Sequence, residues 1–162
     1  MTVSADCYTC AGEARAGELP PREFVAGDDY WRVAHAFGTA VEGWLVLLPR
    51  RHITSISELS DAEARSLGIW QVRLSQALHQ VVGCQKTYIA QFAEAEGFAH
   101  VHFHVIPRSP SLPDELRGPR IFQMIRAGEH EIVTEQRSDE IARELTACLL
   151  TRGASEIHGA ET

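Results

Sequence analysis

Three histidines alternate with apolar residues in the segment 100–106, whose sequence is HVHFHVI. Alternation with a period of two is typical of a β-strand, in which successive side chains point to opposite faces. The pattern therefore predicts a strand with His100, His102 and His104 on one face, each roughly 6–7 Å from the next. Imidazoles in such a row can bind a metal ion, contact phosphate oxygens, or supply a nucleophile and its acid–base partner.

Two cysteines, Cys7 and Cys10, have the Cys-x2-Cys spacing of a metal or redox motif. This spacing is found in half zinc sites and in redox pairs, and it also arises by chance. A redox pair needs a strand-to-helix context, and the residues after Cys10 predict no clear helix. A zinc site would need two further ligands from elsewhere in the chain.

The segment with the three histidines resembles the signature of the histidine-triad (HIT) family of nucleotide hydrolases and transferases. The likeness extends from about Cys7 to about Arg108. It includes a strand that ends in Pro-x-x-His, which is represented here by Pro49 to His52. The resemblance assigns individual residues of this chain to a metal site, to catalysis and to substrate binding.

The resemblance implies a structural zinc ion. In zinc-binding relatives, two N-terminal cysteines, the histidine of the Pro-x-x-His segment and the first triad histidine hold the metal. The matching residues here are Cys7, Cys10, His52 and His100. Two thiolates and two imidazoles suit a closed, tetrahedral zinc site. The alternative for His52 is a solvent-facing loop residue.

The same resemblance implies that His102 is a nucleophile that attacks the α-phosphate of a nucleotide and forms a nucleotidyl-histidine intermediate. His104 would then neutralise the phosphate oxygens as charge develops on them. Gln91, on the preceding strand, is the candidate for a nucleotide contact, and its alternative is an ordinary polar strand residue. Arg108 is close enough in sequence to reach an anionic ligand, and its alternative is a solvated charge at a strand end.

The sequence departs from the family pattern at two places. Gly43 is followed by Trp44, where relatives carry a Gly-His pair, and we expect this change to alter what covers the ligand. The residues before the triad are Gly97-Phe98-Ala99, where relatives often carry a Gln or Ser that helps to hold the phosphate or the leaving group. The second departure bears on the catalytic rate and the substrate but leaves the nucleophile in place.

Two other functions compete with a nucleotidyl-histidine enzyme. A metal-dependent hydrolase or oxygenase could use His100, His102 and His104 as ligands, but it lacks a nearby Asp and leaves the Cys7–Cys10 pair unexplained. A nucleotide-binding or adaptor protein with weak or no catalysis is the other alternative. The missing Gln or Ser before the triad is its main support.

Two helices are predicted around these motifs. The first begins with a capping box, in which Ser60 is the N-cap and Glu63 the third residue, and Gly83 is placed to end it. Its apolar stripe recurs at three- and four-residue steps: Leu67, Trp70, Leu74, Leu78 and Val81. A C-terminal helix is predicted from after Ser138 to Gly153.

The remaining apolar segments predict strands, over residues 30–36, 43–49, 86–92 and 100–106, with a short strand at 23–25. The run 121–125 is too short for its periodicity to separate strand from helix. We therefore expect an α+β fold, with a mainly antiparallel sheet of about five strands, one long helix and a C-terminal helix. All 162 residues would form one domain, of which residues 109–162 are a C-terminal extension.

The charge and hydropathy of the chain limit its partners. A formal net charge of −7 argues against a general nucleic-acid or membrane-surface binder, but a few arginines suffice for a small nucleotide. No run of about twenty apolar residues predicts a membrane span, and no secretion signal is evident, so we expect a cytoplasmic protein. The family resemblance implies a homodimer with two-fold symmetry, in which the two sheets join.

Overall fold

One antiparallel sheet is the centre of the fold. The computed structural model describes residues 7–125 and 132–158. The five strands have the spatial order β1-β2-β3-β5-β4. Their bounds are β1 Ala26–Gly27, β2 Trp31–His35, β3 Leu45–Pro49, β4 Lys86–Ala90 and β5 Phe103–Arg108. The predicted α+β fold with a five-stranded antiparallel sheet is confirmed.

In the described part of the chain, three α-helices accompany the sheet: α1 Tyr8–Glu13, α2 Asp61–Val81 and α3 Glu135–His158. Short 3-10 helices connect them, at Ala16–Glu18, Pro21–Glu23, Ile56–Glu58, Asp114–Leu116 and Gly118–Met124. Within residues 7–125 and 132–158, no helix combines the length and the apolar character needed to cross a lipid bilayer.

The start of α2 follows its sequence signal. Ser60 Oγ accepts a hydrogen bond from the backbone N–H of Glu63, and the Glu63 carboxylate accepts one from the backbone N–H of Ser60. This reciprocal capping satisfies two N–H groups that the first helical turn cannot pair internally. The helix ends at Val81, Val82 is its C-cap, and Gly83 adopts a positive φ of 64°.

The two faces of the sheet differ in what covers them. The face of odd-numbered strand residues packs against α2 and α3 and forms the main hydrophobic core. Its buried members include Val33, Leu45, Leu47, Phe103 and Val105 from the sheet, Leu74 and Leu78 from α2, and Ile141 and Leu145 from α3. The face of even-numbered residues is covered in part by a second buried cluster, formed by Trp44, Ile106, Leu112 and Ile121. The rest of this face, which carries His104, is available for a binding site.

Several predicted boundaries are wrong. The triad strand begins at Phe103, so only His104 of the three histidines lies in it. Residues 23–25 are not a strand, because Pro20 and Pro21 favour the 3-10 turn Pro21–Glu23. A short helix, α1, does follow Cys7. The C-terminal helix begins at Glu135 and continues through Gly153, since a single glycine within a helix is tolerated.

Candidate metal centre and active site

Four side chains of metal-ligating type come together at one end of the sheet: Cys7, Cys10, His52 and His100. Their ligand atoms all lie within 4.8 Å of one another. The Sγ atom of Cys7 lies 3.5 Å from Nδ1 of His100, and that of Cys10 lies 3.3 Å from Nδ1 of His52. The structure thus gathers the four residues that the sequence assigns to a metal.

Neighbouring elements bring these residues together from three distant parts of the chain. His52 follows β3 and His100 precedes β5, and the two strands are paired. The backbone N–H of Val101 also donates to the carbonyl oxygen of Ile53 at a nitrogen–oxygen distance of 2.9 Å. This hydrogen bond holds the segments of His52 and His100 side by side. Cys7 is the N-cap of α1 and Cys10 lies within it, and the last residue of the helix, Glu13, forms ion pairs with Arg32 and Arg50.

The ring of His100 is oriented for metal binding. Its Nε2 lies 2.9 Å from the carbonyl oxygen of Pro49, which can only accept, so Nε2 carries the proton and Nδ1 keeps its lone pair toward the thiols. Burial lowers the pKa of His100 to about 4, which keeps the ring neutral. A second contact of this kind is typical of zinc-ligating histidines.

The donor set and its spacing fit zinc. Zn–S and Zn–N bonds of about 2.3 and 2.0 Å in a tetrahedron place sulfur and nitrogen about 3.5 Å apart. Three of the four Sγ–Nδ1 pairs between the cysteines and histidines of the cluster are 3.3, 3.5 and 3.7 Å apart. Three of the four ligands are buried, as expected for a structural ion without an open position.

His102 is arranged differently from His100. Its Nδ1 lies 2.8 Å from the carbonyl oxygen of His100. Because that oxygen only accepts, the proton of the neutral ring is on Nδ1 and the lone pair is on Nε2. His102 lines a cavity of about 320 Å³ on the even face of the sheet. A nucleophilic nitrogen is thus available in a site large enough for a small ligand.

His104 is the third triad histidine, and its ring is nine-tenths buried. Trp44 Nε1 donates to Nδ1 of His104 at 3.1 Å, and the rings of His102 and Phe122 pack against the imidazole with centroids 4.9 and 5.1 Å away. Burial, and to a lesser extent the nearby His102, lowers the pKa of His104 to about 4. His104 is therefore neutral near pH 7.

The cavity is mostly apolar and aromatic. Tyr8, Phe37 and Phe98 form a three-ring cluster in its wall, with centroids 5.6 to 6.0 Å apart. His35 also lines it, but both of its ring nitrogens are engaged, Nδ1 with the carbonyl of Ala36 and Nε2 with the N–H of Gly43. His35 therefore supports the wall rather than offering a free ring nitrogen.

A family model described as HIT domain matches residues 19–111, which is more than half of the chain. The chain belongs to the HIT family. Membership indicates a function of the nucleotide-binding or hydrolase type, and the predicted recognition of the histidine triad is confirmed. Comparison with curated proteins gives no match.

Solved structures of HIT proteins share this fold. A Zn-bound histidine triad family protein from Mycobacterium smegmatis superposes with a TM-score of 0.67 at 17% identity, over 92% of this chain and 96% of that chain. A Hit-like protein from Bartonella henselae, described as involved in cell-cycle regulation, gives 0.65 at 16% identity, over 91% and 99%. A hypothetical histidine triad nucleotide-binding protein from Sulfolobus tokodaii gives 0.65 at 14%, over 90% and 93%.

The two predicted substrate contacts of this HIT chain lie at the margin of the cavity or away from it. Gln91 directly follows β4, and the cavity wall begins with the next residue, Phe92. Arg108 is at the far end of β5 from His104, where it donates to Gln85 Oε1 at 2.5 Å and is not among the described lining residues. Both substrate roles remain predictions.

Sequence reasoning missed three aromatic parts of the site. The Phe122 ring comes from the apolar run 121–125, whose periodicity was undecided, and it packs on both Trp44 and His104. Tyr8 and Phe37 lie in a short helix and a loop, where no periodic pattern marks them. The available signal is Trp44 itself, because it stands where the family resemblance predicts a histidine.

Proposed function

We propose that this protein is a nucleotide hydrolase or nucleotidyl transferase that acts at the α-phosphate of a nucleotide conjugate through a nucleotidyl-histidine intermediate. The observation that carries the proposal is the hydrogen bond from Nδ1 of His102 to the carbonyl oxygen of His100 at 2.8 Å. It leaves the Nε2 lone pair on a side chain that lines the cavity. A neutral imidazole with that lone pair is a competent nucleophile toward phosphorus.

In the first step, Nε2 of His102 attacks the α-phosphorus, a nitrogen–phosphorus bond forms, and the bond from phosphorus to the leaving group breaks. In the second step, water or an acceptor phosphate displaces His102 and releases the nucleotide or its new conjugate. Water as acceptor gives a hydrolase, and a phosphate gives a transferase. Dividing the reaction into two displacements is the usual gain from a covalent intermediate.

His104 has the second role. With Nδ1 occupied by Trp44, its proton is on Nε2, and this N–H can donate to a phosphate oxygen on which charge develops. The rings of His102 and His104 have centroids 4.9 Å apart, so one phosphate group can contact both. His102 therefore bonds to phosphorus, while His104 stabilises the charge on its oxygens.

Cys7, Cys10, His52 and His100 would hold the structural Zn²⁺. The ion would crosslink α1 to the segments that precede β5 and follow β3, and the chemical step would be left to the histidines. The hydrogen bond from His102 to the His100 carbonyl ties the orientation of the nucleophile to this cluster.

The substrate is a small nucleotide conjugate, either a dinucleoside polyphosphate or a nucleoside phosphoramidate. The aromatic and apolar wall suits a nucleobase, since π-faces stack on aromatic rings. Among the described lining residues, Arg32 is the cationic side chain, and it is engaged by Glu13 and by the carbonyl oxygen of Glu23. Gln91 and Arg108 are retained as proposed substrate contacts.

A covalent adduct is the test. The zinc-loaded protein is mixed with adenine and guanine dinucleotides and phosphoramidates and examined by intact-protein mass spectrometry. We expect an adduct of one nucleotidyl group that maps to His102 and is absent from His102→Ala. His79→Ala is the matched control, because His79 lies on α2 away from the described cavity lining.

A nucleotide-binding or adaptor protein with weak catalysis is the second candidate. It is favoured by Phe98, whose ring packs against Tyr8 and Phe37 close to the position where relatives carry a polar residue. Ligand binding without adduct or turnover, in protein that holds zinc, would support this candidate and overturn the enzyme.

We also propose that the protein is a cytoplasmic homodimer. β4 is an edge strand that exposes Ile89, and α2, which contacts β4 through the hydrogen bond between Ser75 and Thr87, exposes Ile69 and Val72. An open edge beside apolar surface is suited to pairing with a second copy across a two-fold axis. We propose no binding of nucleic acid in general and none of membranes.

A further inference from the structure

We propose that Trp44 is a positioning residue that holds His104 as a neutral ring with its proton on Nε2, and thereby makes His104 a hydrogen-bond donor to the substrate phosphate. The inference rests on the proposed function, because it assigns the origin of a donor that the reaction uses. It concerns the residue at which this chain departs from the Gly-His pair of its relatives.

The contact between the two side chains is direct and buried. Trp44 Nε1 lies 3.1 Å from Nδ1 of His104, and the two rings are nearly perpendicular, at 82° with centroids 5.7 Å apart. Trp44 is completely buried and His104 is 9% exposed. Water therefore has little access to either nitrogen, and each must find its hydrogen bond within the protein.

The chemistry of indole makes the contact one-directional. Its N–H donates and cannot accept, so Nδ1 of His104 must be the acceptor. A His104 ring protonated on Nδ1, whether as the other tautomer or as imidazolium, would place two N–H groups against each other. Only the Nε2–H tautomer satisfies both rings.

The fold fixes the indole before any ligand binds. Val46 pairs with His104 across the sheet, and Trp44 lies two residues earlier on the same face. Gly43 has a φ of 76°, which L side chains rarely adopt, and a Cβ there would lie 3.1 Å from Leu78 and Val82. The turn therefore needs glycine at position 43.

A hydrogen bond and an aromatic contact hold this turn and its indole. The backbone N–H of Gly43 donates to Nε2 of His35 at 3.0 Å, which ties the turn to β2. On the other side, Phe122 packs on the indole with ring centroids 5.2 Å apart.

The groups that face His104 leave Trp44 as the determinant of its tautomer. They are the rings of His102, Trp44 and Phe122, and the cavity wall adds the carboxylates of Glu23 and Glu94. In the described part of the chain, no carboxylate forms an ion pair or hydrogen bond with the His104 ring. A histidine at position 44 could accept as well as donate, whereas indole can only donate.

Nitrogen NMR of the zinc-loaded full chain tests the proposal. Long-range ¹H–¹⁵N spectra distinguish the two neutral tautomers from imidazolium, and the His104 signals are assigned with His104→Gln. We expect the pure Nε2–H pattern in the wild type between about pH 5.5 and 8. An Nδ1–H or imidazolium pattern at pH 7 would overturn the proposal without the need for any variant.

Trp44→Phe removes the donor and keeps most of the apolar volume. We expect a mixture of His104 tautomers and, on the proposed substrates, a kcat lower by about 10-fold with a nearly unchanged KM, as for the loss of one hydrogen bond that orients the His104 proton. Phe122→Leu is the packing control, because it alters a ring contact of His104 without touching the hydrogen bond. A change of tautomer in Phe122→Leu alone would overturn the role of Trp44.

The outcomes separate this inference from the proposed function. If His104 shows a pure Nε2–H tautomer that depends on Trp44, but the protein gives no turnover and no adduct, the proposed enzyme function is wrong. The tautomer assignment is then still supported. If turnover is full and neither the His104 tautomer nor kcat changes in Trp44→Phe, this inference is wrong and the proposed enzyme function is supported.

Discussion

Nδ1 of His102 lies 2.8 Å from the backbone carbonyl oxygen of His100, so the proposed nucleophile is hydrogen-bonded to a residue of the metal cluster. His100 is itself fixed through Nε2 to the carbonyl of Pro49 on β3. The orientation of the attacking nitrogen thus depends on two backbone carbonyls and on the segment that carries a metal ligand. The proposed chemistry and the proposed structural metal therefore use different side chains of one backbone segment.

The first prediction separates these two functions. His102→Ala should abolish turnover on nucleotide conjugates, with a loss of at least about 10³-fold, because the covalent route is removed. Zinc content should stay near one ion per chain, since His102 is not among the four clustered residues. Parallel kinetics and metal analysis measure both. Loss of zinc in this variant would instead indicate that the triad itself binds the metal.

The second prediction concerns the metal. Cys10→Ser should lower the zinc content and reduce Tm by about 5 °C or more, because binding energy of a structural ion is folding energy. Cys148→Ser is the matched control. Its thiol donates to Gln80 outside the cluster, and a hydroxyl can do the same. Equal effects of the two substitutions would contradict a zinc role for Cys10.

The third prediction follows from the pKa of His104, which burial lowers from 6.5 to about 4. Between these values the unfolded chain binds a proton that the folded protein excludes, so the free energy of unfolding should fall as pH decreases from 6.5 toward 4. In His104→Gln this part of the fall, at most about 3 kcal/mol, should be missing. Urea unfolding of the wild type and of His104→Gln across this pH range measures the difference. Free energies of unfolding that change with pH in parallel in the two proteins would refute the prediction.

The fourth prediction concerns Glu63, whose pKa is held at about 2, chiefly by the hydrogen bonds from Arg51 and despite the opposing effect of burial. A depressed carboxyl pKa adds stability above the unfolded value near 4.5 that is lost as pH falls toward 2. Glu63→Gln should therefore lower the free energy of unfolding by about 1–2 kcal/mol at pH 7 and by much less near pH 2.5. Glu140→Gln, a substitution on an exposed part of α3, serves as control in the same unfolding experiment. A cost that does not change with pH would exclude a role for the charge.

The fifth prediction tests the dimer by light scattering after size exclusion. Val72→Glu should shift the protein toward the monomer, because it places a charge on the exposed apolar surface of α2, the helix that contacts β4. Ile56→Glu changes an equally exposed apolar residue on the 3-10 turn before α2 and should leave the assembly intact. A monomeric wild type, or an unaltered dimer in Val72→Glu, would contradict the proposed interface.

Local signals in the sequence predicted the parts of the fold that are determined locally. The capping box at Ser60 and Glu63 marks the start of α2 because its two hydrogen bonds join residues three apart. The alternation around His104 marked β5, but its first two histidines precede the strand, since their positions are set by β3 and by the contacts of α1. Alternation alone cannot reveal where pairing begins.

Neither the metal cluster nor the Trp44 contact has a local sequence pattern that would reveal it. Cys7, Cys10, His52 and His100 were assigned through family resemblance, since the gaps between them are too long for spacing to be informative. The bond from Trp44 to His104 joins residues 60 positions apart and has no local pattern. Only the register of β3 against β5 brings the indole to the imidazole.

The short helix α1 contributes to two sites at once. Cys7 and Cys10 belong to the metal cluster, and the two residues between them, Tyr8 and Thr9, line the cavity. A six-residue helix has little stability of its own, so the wall it provides depends on its attachment to the rest of the molecule. We therefore expect the proposed zinc ion and the proposed cavity ligand to be thermodynamically linked: whatever factor the ion adds to the affinity for ligand, the ligand must add to the affinity for the ion.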